Sequence, residues 1–491
     1  MDDERALRSN PLLAHLDSRA LGYDRLRAHV LRALDWLDPG SRDSAASERR
    51  GRQHAILLRC DVQRAPHEEV AAALGLSRRQ FYRDRRAALL AFSAALREYR
   101  PTAVPARTEP RNVQLLYIET LRDRGEYDAV WHESLRALRD LRGGAREAEV
   151  WTVAAEAARF LGNIRKSQEA IDALRGLAEC SEHPHLLRAT ALRIAICETA
   201  LDWMQADFTK ARARIESFAK AWDDERTMHG RDATLFGILL NYGAWIAIDA
   251  GDWAAAAEFT RRSERIAERS EVAHAPTHLH RLRGRLAVAR DGDSLRASME
   301  LRDALAVADT HKAFAPIASS AVELGLALVA SDQSSGFDYI RYGLAIGRDA
   351  CGYDDFAMLF ISTVPALLPH TTAKNALEAV EVVRARSSLL RRADLFARLA
   401  ELAIFLQAGQ HGEVATSGAD LARELERASL LPAASEAHVI SAEALLRERR
   451  VLAARRALRR ASEMIANFGS APTRARAAAL GHRLTLAAAA R

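Results

Sequence analysis

At 491 residues the chain is too long for one ordinary domain, so it must form two or more folding units or one extended repeat array. Sixty-six Arg and only 5 Lys face 65 acidic residues, a net charge of +6 that by itself points to no partner. With 49% hydrophobic residues, 6% aromatic residues, 13 Pro and 4 Cys, and with Ala and Leu dominant, the composition excludes a small disulfide scaffold and favours helix over strand.

The start, Met1-Asp2-Asp3-Glu4, is acidic and has neither the basic region nor the apolar core of a signal peptide. Cys60, Cys180, Cys197 and Cys351 lie far apart and form no CxxC or Cys/His ladder, which fits a reducing cytoplasm and argues against a zinc site.

The sharpest local pattern is the run from His67 to Arg86. Ala71 is the small residue needed where two helices cross, and Gly75 suits a tight turn. Val70, Leu74, Leu76 and Phe81 are apolar anchors at the spacing of two packed helices. Ser77 is placed to cap the second helix, expected over Ser77 to Leu90. At 100° per residue, Phe81, Ala88, Leu89 and Phe92 fall on one side of that helix. Arg79, Arg83 and Arg86 form a neighbouring stripe, with Arg78, Tyr82 and Arg85 beside it. Five arginines against Asp84 leave +4 on one short helix, a charge that a polyanion would meet.

The segment resembles the helix-turn-helix of bacterial transcription regulators, and more particularly region four of sigma factors. Arg49 to Arg59 looks like the preceding helix, and Glu68 to Ser77 like the central signature. Asp84 departs from that pattern, and nothing later in the chain looks like the promoter-melting part of a sigma factor. The resemblance implies that the second helix enters the major groove of double-stranded DNA. Arg78, Arg79, Gln80 and Arg83 are then the base readers, because Arg binds guanine and Gln binds adenine in bidentate geometry. Arg85 and Arg86 go to phosphate, Ser77 opens the site and Tyr82 suits either role. A degenerate module serving packing or dimerisation is the alternative for the same residues.

From Tyr99 to Pro110 three prolines interrupt the helical pattern, so residues 105–110 are read as a linker between an N-terminal domain, 1–104, and a second domain, 111–491. The helix-turn-helix occupies about 67–90. Before residue 111 there are 20 Arg against 15 acids, whereas the larger part balances to +1.

The larger part repeats loosely. Turn-then-helix segments begin at Gly125, Gly162, Ala206, Gly251, Gly292 and Gly336, spaced by 37, 44, 45, 41 and 44 residues, with echoes near Lys374, Gly412 and Arg450. Each unit is long enough for two helices and their turns, and Ala256, Phe259, Ser263 and Ile266 recur at helical spacing. Gly251, Trp253 and Ala256 resemble the turn of the tetratricopeptide repeat, with Gly125 and Tyr127 matching in part. The expected fold is all-α, an N-terminal helix-turn-helix domain followed by an α-solenoid of tetratricopeptide-like hairpins. HEAT-like arrays and a globular helical bundle stay open as alternatives.

Leu235 to Ile248 and Phe356 to Leu368, at 14 and 13 residues, fall short of a membrane span and are read as buried helices, so no membrane is expected. No GxGxxG, GxxxxGK[ST], HExxH or GxSxG occurs, so no enzyme and no cofactor is expected. His183, His185, His274, His278 and His280 lack a carboxylate or Cys at ligand spacing, and no metal is expected. Asp223 to Glu225 and Asp354-Asp355 are read as solvated helix caps, Trp253 and Tyr127 as core wedges.

The sum is a cytoplasmic DNA-binding transcription regulator whose repeats take a protein or peptide partner in their groove. Paired half-sites make a homodimer one way for it to bind. The alternative is a scaffold or adaptor whose first domain makes protein contacts. An RNA-binding repeat protein would need basic residues along the array, and the +1 balance speaks against it.

Overall fold

The computed structural model describes residue 34 and residues 45–62, 65–98, 113–141, 145–180, 184–221, 230–267, 275–311, 313–387 and 390–489. Among them every regular element is helical, as the Ala/Leu-rich composition leads one to expect. The expected linker, 105–110, and the acidic run Asp223 to Glu225 lie outside the described residues. The chain divides into two compact units at Leu121/Arg122.

In the first unit, α1 (Ala45–Leu57) runs on into a π-helical turn, Leu58–Val62, and is followed by α2 (His67–Ala73) and α3 (Arg78–Glu98). Ile56, Cys60, Val70, Ala71 and Phe81 form its core, with Leu74 and Leu76 packed against it. Val70, Ala71, Leu74, Leu76 and Phe81 are the residues that the sequence pattern singles out, and Ile56 and Cys60 join them from α1 and the turn after it, so that α2, a four-residue turn and α3 stand in the expected helix-turn-helix order. Helix α4 (Val113–Asp123) contains the division between the units.

The second unit starts with α5 (Tyr127–Asp140). Hairpins follow: α6–α7 (Ala145–Phe160, Ile164–Glu179), α8–α9 (Pro184–Met204, Phe208–Ala221) and α10–α11 (Gly230–Ala250, Trp253–Ala267). Next come α12–α13 (Ala275–Leu286, Ser294–Thr310), α14–α15 (Phe314–Val329, Gly336–Ala350) and α16–α17 (Tyr353–Leu367, Ala373–Ser387). The unit ends with α18–α19 (Arg391–Gln407, His411–Arg427), α20–α21 (Leu431–Arg447, Val451–Phe468) and α22 (Ala471–Ala489). This is the α-solenoid of tetratricopeptide-like hairpins.

What closes most hairpins is one residue in the left-handed region: Gly162, Ala206, Gly251, Gly292, Asp332, Gly409 and Arg449 all have positive φ, as does Gly125 in the turn before α5. Glycine is the residue that adopts this conformation without a Cβ clash, which is why the repeat is visible in the sequence. In two hairpins the turn falls three or four residues before the position the sequence suggests, and in a third it falls one residue before it. The turn before α15 uses Asp332, and Gly336 is instead the first residue of that helix, where a Cβ would stand 2.5 Å from the Gly325 carbonyl oxygen. The turns read near Gly412 and Arg450 are made by Gly409 and Arg449.

First and second helices of the hairpins differ in how they are buried. In α19 the buried residues Val414, Gly418, Leu421 and Leu425 form one stripe at helical spacing. In α20 every residue from Ala437 to Leu445 is buried, which one stripe cannot provide. The reason is a second set of neighbours. Helix α6 touches α16, α8 touches α18, and α10 touches α20, each ten helices on, while the turn after α12 touches α22. Successive turns of the superhelix thus stack directly on one another. Leu235 to Ile248 lies in the 21-residue α10, longer than the 14 residues read from its apolar core. Its Asp232–Ala250 stretch is long and apolar enough to cross a membrane, but Phe236, Leu239, Leu240 and Ala244 are buried in the repeat core.

Candidate nucleic-acid interface

Among the described residues of the first unit, Arg78, Arg79, Arg83 and Arg86 of α3 are exposed. Gly75, at φ +63°, turns the chain back, and the Ser77 Oγ accepts a hydrogen bond from the Gln80 amide at 3.3 Å as an N-cap. Phe81 and Ala88 anchor α3 to the core. With that face fixed, Ser77, Arg78, Arg79, Tyr82, Arg83 and Arg86 are exposed and Gln80 is half-buried.

Two side chains depart from the roles expected of a flat basic face. The Arg85 Nη2 donates to the Asp61 Oδ1 at 2.6 Å, and its side chain is 24% exposed, against 75% for Arg83. Arg85 is therefore tied down within the unit, and its charge is neutralised before any phosphate arrives. The same ion pair borders Cys60, whose thiol burial pushes up, with Asp61 adding to the effect and Arg85 opposing it. Tyr82 leans edge-on against His67 and Phe81, its hydroxyl 3.5 Å from the His67 Nδ1. Asp84 is half-buried 3.9 Å from Arg83. Neither Asp61 nor His67 stands out in the sequence, because each acts across a turn and not along the helix.

The second unit has an interior polar seam that sequence reading missed. At its centre is Arg392 of α18. Its Nε donates to the Asp249 Oδ2 at 2.9 Å, and its Nη1 lies 3.7 Å from the Asp354 Oδ2. Its guanidinium stacks 4.1 Å from the Trp203 ring centroid, and the Trp203 indole N–H donates to the same Asp249 oxygen at 2.9 Å. The Asp354-Asp355 pair, expected to be a solvated cap, is thus corrected in its first member. Asp354 is 1% exposed, and burial pushes its carboxyl up to about 6, with Arg392 opposing the shift and Asp355 adding to it. Nearby, Arg159 stacks 4.0 Å over Phe160. A separate cleft of about 340 Å³ opens between α9, α10 and α11, floored by Ile215, Ile246 and Phe259 and edged by Arg212 and Glu216.

Tyr127 and Trp253 are core wedges: Tyr127 is buried and its hydroxyl donates to the Ala350 carbonyl at 3.0 Å, while Trp253 packs against the core. His280 is paired with Glu300 at 2.8 Å. Among the described residues no three His, Cys, Asp or Glu side chains gather as a metal site would require; His183 and His274 lie outside those residues.

No family model and no curated protein matches the sequence. Among solved structures, the chain is similar to a Rap protein complexed with competence and sporulation factor. That likeness has a TM-score of 0.52 and 14% identity over 73% of this chain and 98% of the other. Human IFIT1 matches at a TM-score of 0.40 and 11% identity, covering 76% of this chain and 81% of that one. A signal transduction ATPase with a tetratricopeptide repeat sensor from Pyrococcus horikoshii matches at 0.34 and 12%, covering 94% and 72%. The likeness to the Rap protein establishes a helical-repeat fold for the chain.

Proposed function

We propose that the protein is a non-enzymatic, DNA-binding transcription regulator of the reducing cytoplasm, whose repeat unit binds a protein or peptide partner. The observation that carries the DNA half is the outward set Arg78, Arg79, Arg83 and Arg86 on a helix held by Gly75, Ser77 and Phe81. A positive stripe on a rigid helix that follows a tight turn is suited to the major groove, where Arg reads guanine. The partner half is supported by the hairpin array, since stacked hairpins present extended binding surfaces. The apolar cleft edged by Arg212 and Glu216 is one place for such a segment. The Rap structure, complexed with competence and sporulation factor, supplies an example of this fold with a bound factor.

The test is binding of the full chain to genomic DNA fragments across a salt series, with selection of the bound sequences. Arg79→Ala with Arg83→Ala should cost about 1–3 kcal/mol for each guanine no longer read and relax the selected sequence. Arg85→Ala should have the smaller effect, because that arginine is already paired with Asp61. Affinity that ignores both salt and the Arg79/Arg83 changes would favour the scaffold reading, in which α3 makes protein contacts.

A further inference from the structure

The repeat unit is nearly neutral only on average. From Arg447 to Arg491 there are eleven arginines against Glu448 and Glu463, a local charge of +9, so residues 111–446 carry −8. Helix α21 concentrates the excess. Val451, Ala454, Ala461, Met464 and Ile465 bury its apolar stripe, which leaves Arg455, Arg456, Arg459 and Arg460 together on the opposite, exposed face, at i, i+1, i+4 and i+5.

The arginines around it are used up inside the unit, and those of α21 for the most part are not. Arg447, Arg476 and Arg483 all donate to the carboxylate of Glu443, at 3.0, 2.9 and 3.1 Å. Burial works against that carboxylate, but Arg476 and Arg483 hold it below the usual range. Arg460 is shared between Glu426 at 3.0 Å and Glu463 at 3.6 Å. Arg455, Arg456 and Arg459 have no acidic partner among the described residues. Three adjacent, uncompensated guanidinium groups on one rigid helix repel one another, and that cost is relieved when anionic oxygens approach.

We propose that the exposed face of α21 is a second nucleic-acid contact, which binds the phosphate backbone of duplex DNA without reading its sequence. Arginine without lysine is the composition for bidentate phosphate binding. A membrane surface fits less well, because an interfacial helix must insert its apolar face and that of α21 is buried in the repeat core. An acidic protein partner would call for aromatic anchors, and the exposed residues of α21 include none. The contact does not rest on the reading of α3.

The experiment measures the affinity of the full chain for a labelled mixed-sequence duplex between about 50 and 200 mM salt. Arg455→Ala, Arg456→Ala and Arg459→Ala are made together, in the native background and in the Arg79→Ala, Arg83→Ala background. Removing three phosphate-binding side chains should lower the slope of log K against log salt by about 2 to 3 in both backgrounds. The matching Arg→Lys triple, which keeps the charge, should retain most of the slope. All three side chains are exposed, so circular dichroism should be unchanged. A slope unaffected by the alanine triple overturns the proposal. So does binding to polyglutamate or to phosphatidylserine vesicles that the triple abolishes while duplex binding persists; Leu452, 73% exposed on the same helix, makes the vesicle arm necessary. Absence of any effect on changing Arg79 and Arg83 alone would count against the α3 reading and leave this one standing.

Discussion

Asp354 is a carboxylate held where water cannot reach it, and only one of its two oxygens finds Arg392; the other, Oδ1, has no hydrogen-bond partner. Its folded-state pKa is raised from 3.8 to about 6. A raised acid binds its proton more tightly when folded, so the associated stability is present below about pH 4 and is lost as the pH climbs through 6. The shift corresponds to roughly 3 kcal/mol. Asp354→Asn should remove that dependence, becoming more stable relative to the native chain by about this amount between pH 4 and 7. Urea midpoints at the two ends of the range check it, and parallel curves for the two proteins would refute it. The same residue shows the reach of sequence reading at this scale. An Asp-Asp pair at the start of a helix normally faces solvent, but Asp354 lies against Arg392, 38 positions away, which also binds Asp249, 105 positions from Asp354.

At the level of elements the turns make a cleaner experiment. Gly75 and Gly125 both have positive φ, +63° and +76°, but a Cβ on Gly75 would meet nothing within 4 Å, whereas on Gly125 it would lie 2.5 Å from the Ala350 Cα. Gly75→Ala should therefore cost only the conformational term, about 1 kcal/mol. Gly125→Ala should cost more than twice that, because backbone atoms of α15 must move as well. Thermal melts of the two variants separate strain from clash, and equal shifts would contradict the geometry. These glycines are also why the repeats could be read. Left-handed turns constrain residue identity locally, and burial stripes such as that of α11 follow from helical period alone. Where the chain uses Asp332 for the same conformation, the register read from sequence slips to Gly336, four residues on.

For the whole repeat unit, the stacking of one superhelical turn on the next should make unfolding more cooperative than in an open array, where each hairpin touches only its neighbours. Arg392 joins α18 to α10 and α16. Arg392→Ala would leave Asp249 and Asp354 buried without their cation and should destabilise by about 3–5 kcal/mol. It should also split the denaturant transition seen by circular dichroism from that seen by tryptophan fluorescence, since Trp203 stacks on the deleted guanidinium. Coincident, unshifted transitions would show that the turns are not coupled through this seam.

The division between what sequence decided and what tertiary structure decided follows contact distance. Helix content, hairpin repetition, the Ala71–Gly75–Phe81 turn and the arginine stripe of α3 rest on neighbours within a few residues, and the sequence alone determined them. The pairing of Arg85 with Asp61, the burial of Asp354 and the hydrogen bond from Tyr127 to Ala350, 223 residues away, depend on how distant segments close on one another. No local period encodes the closure of a superhelix, because its pitch sums small rotations over five hairpins. Tertiary structure also separated arginines consumed by internal carboxylates from those left outward. A formal charge of +6 does not contain that distinction, since it is made by which acids fold within reach.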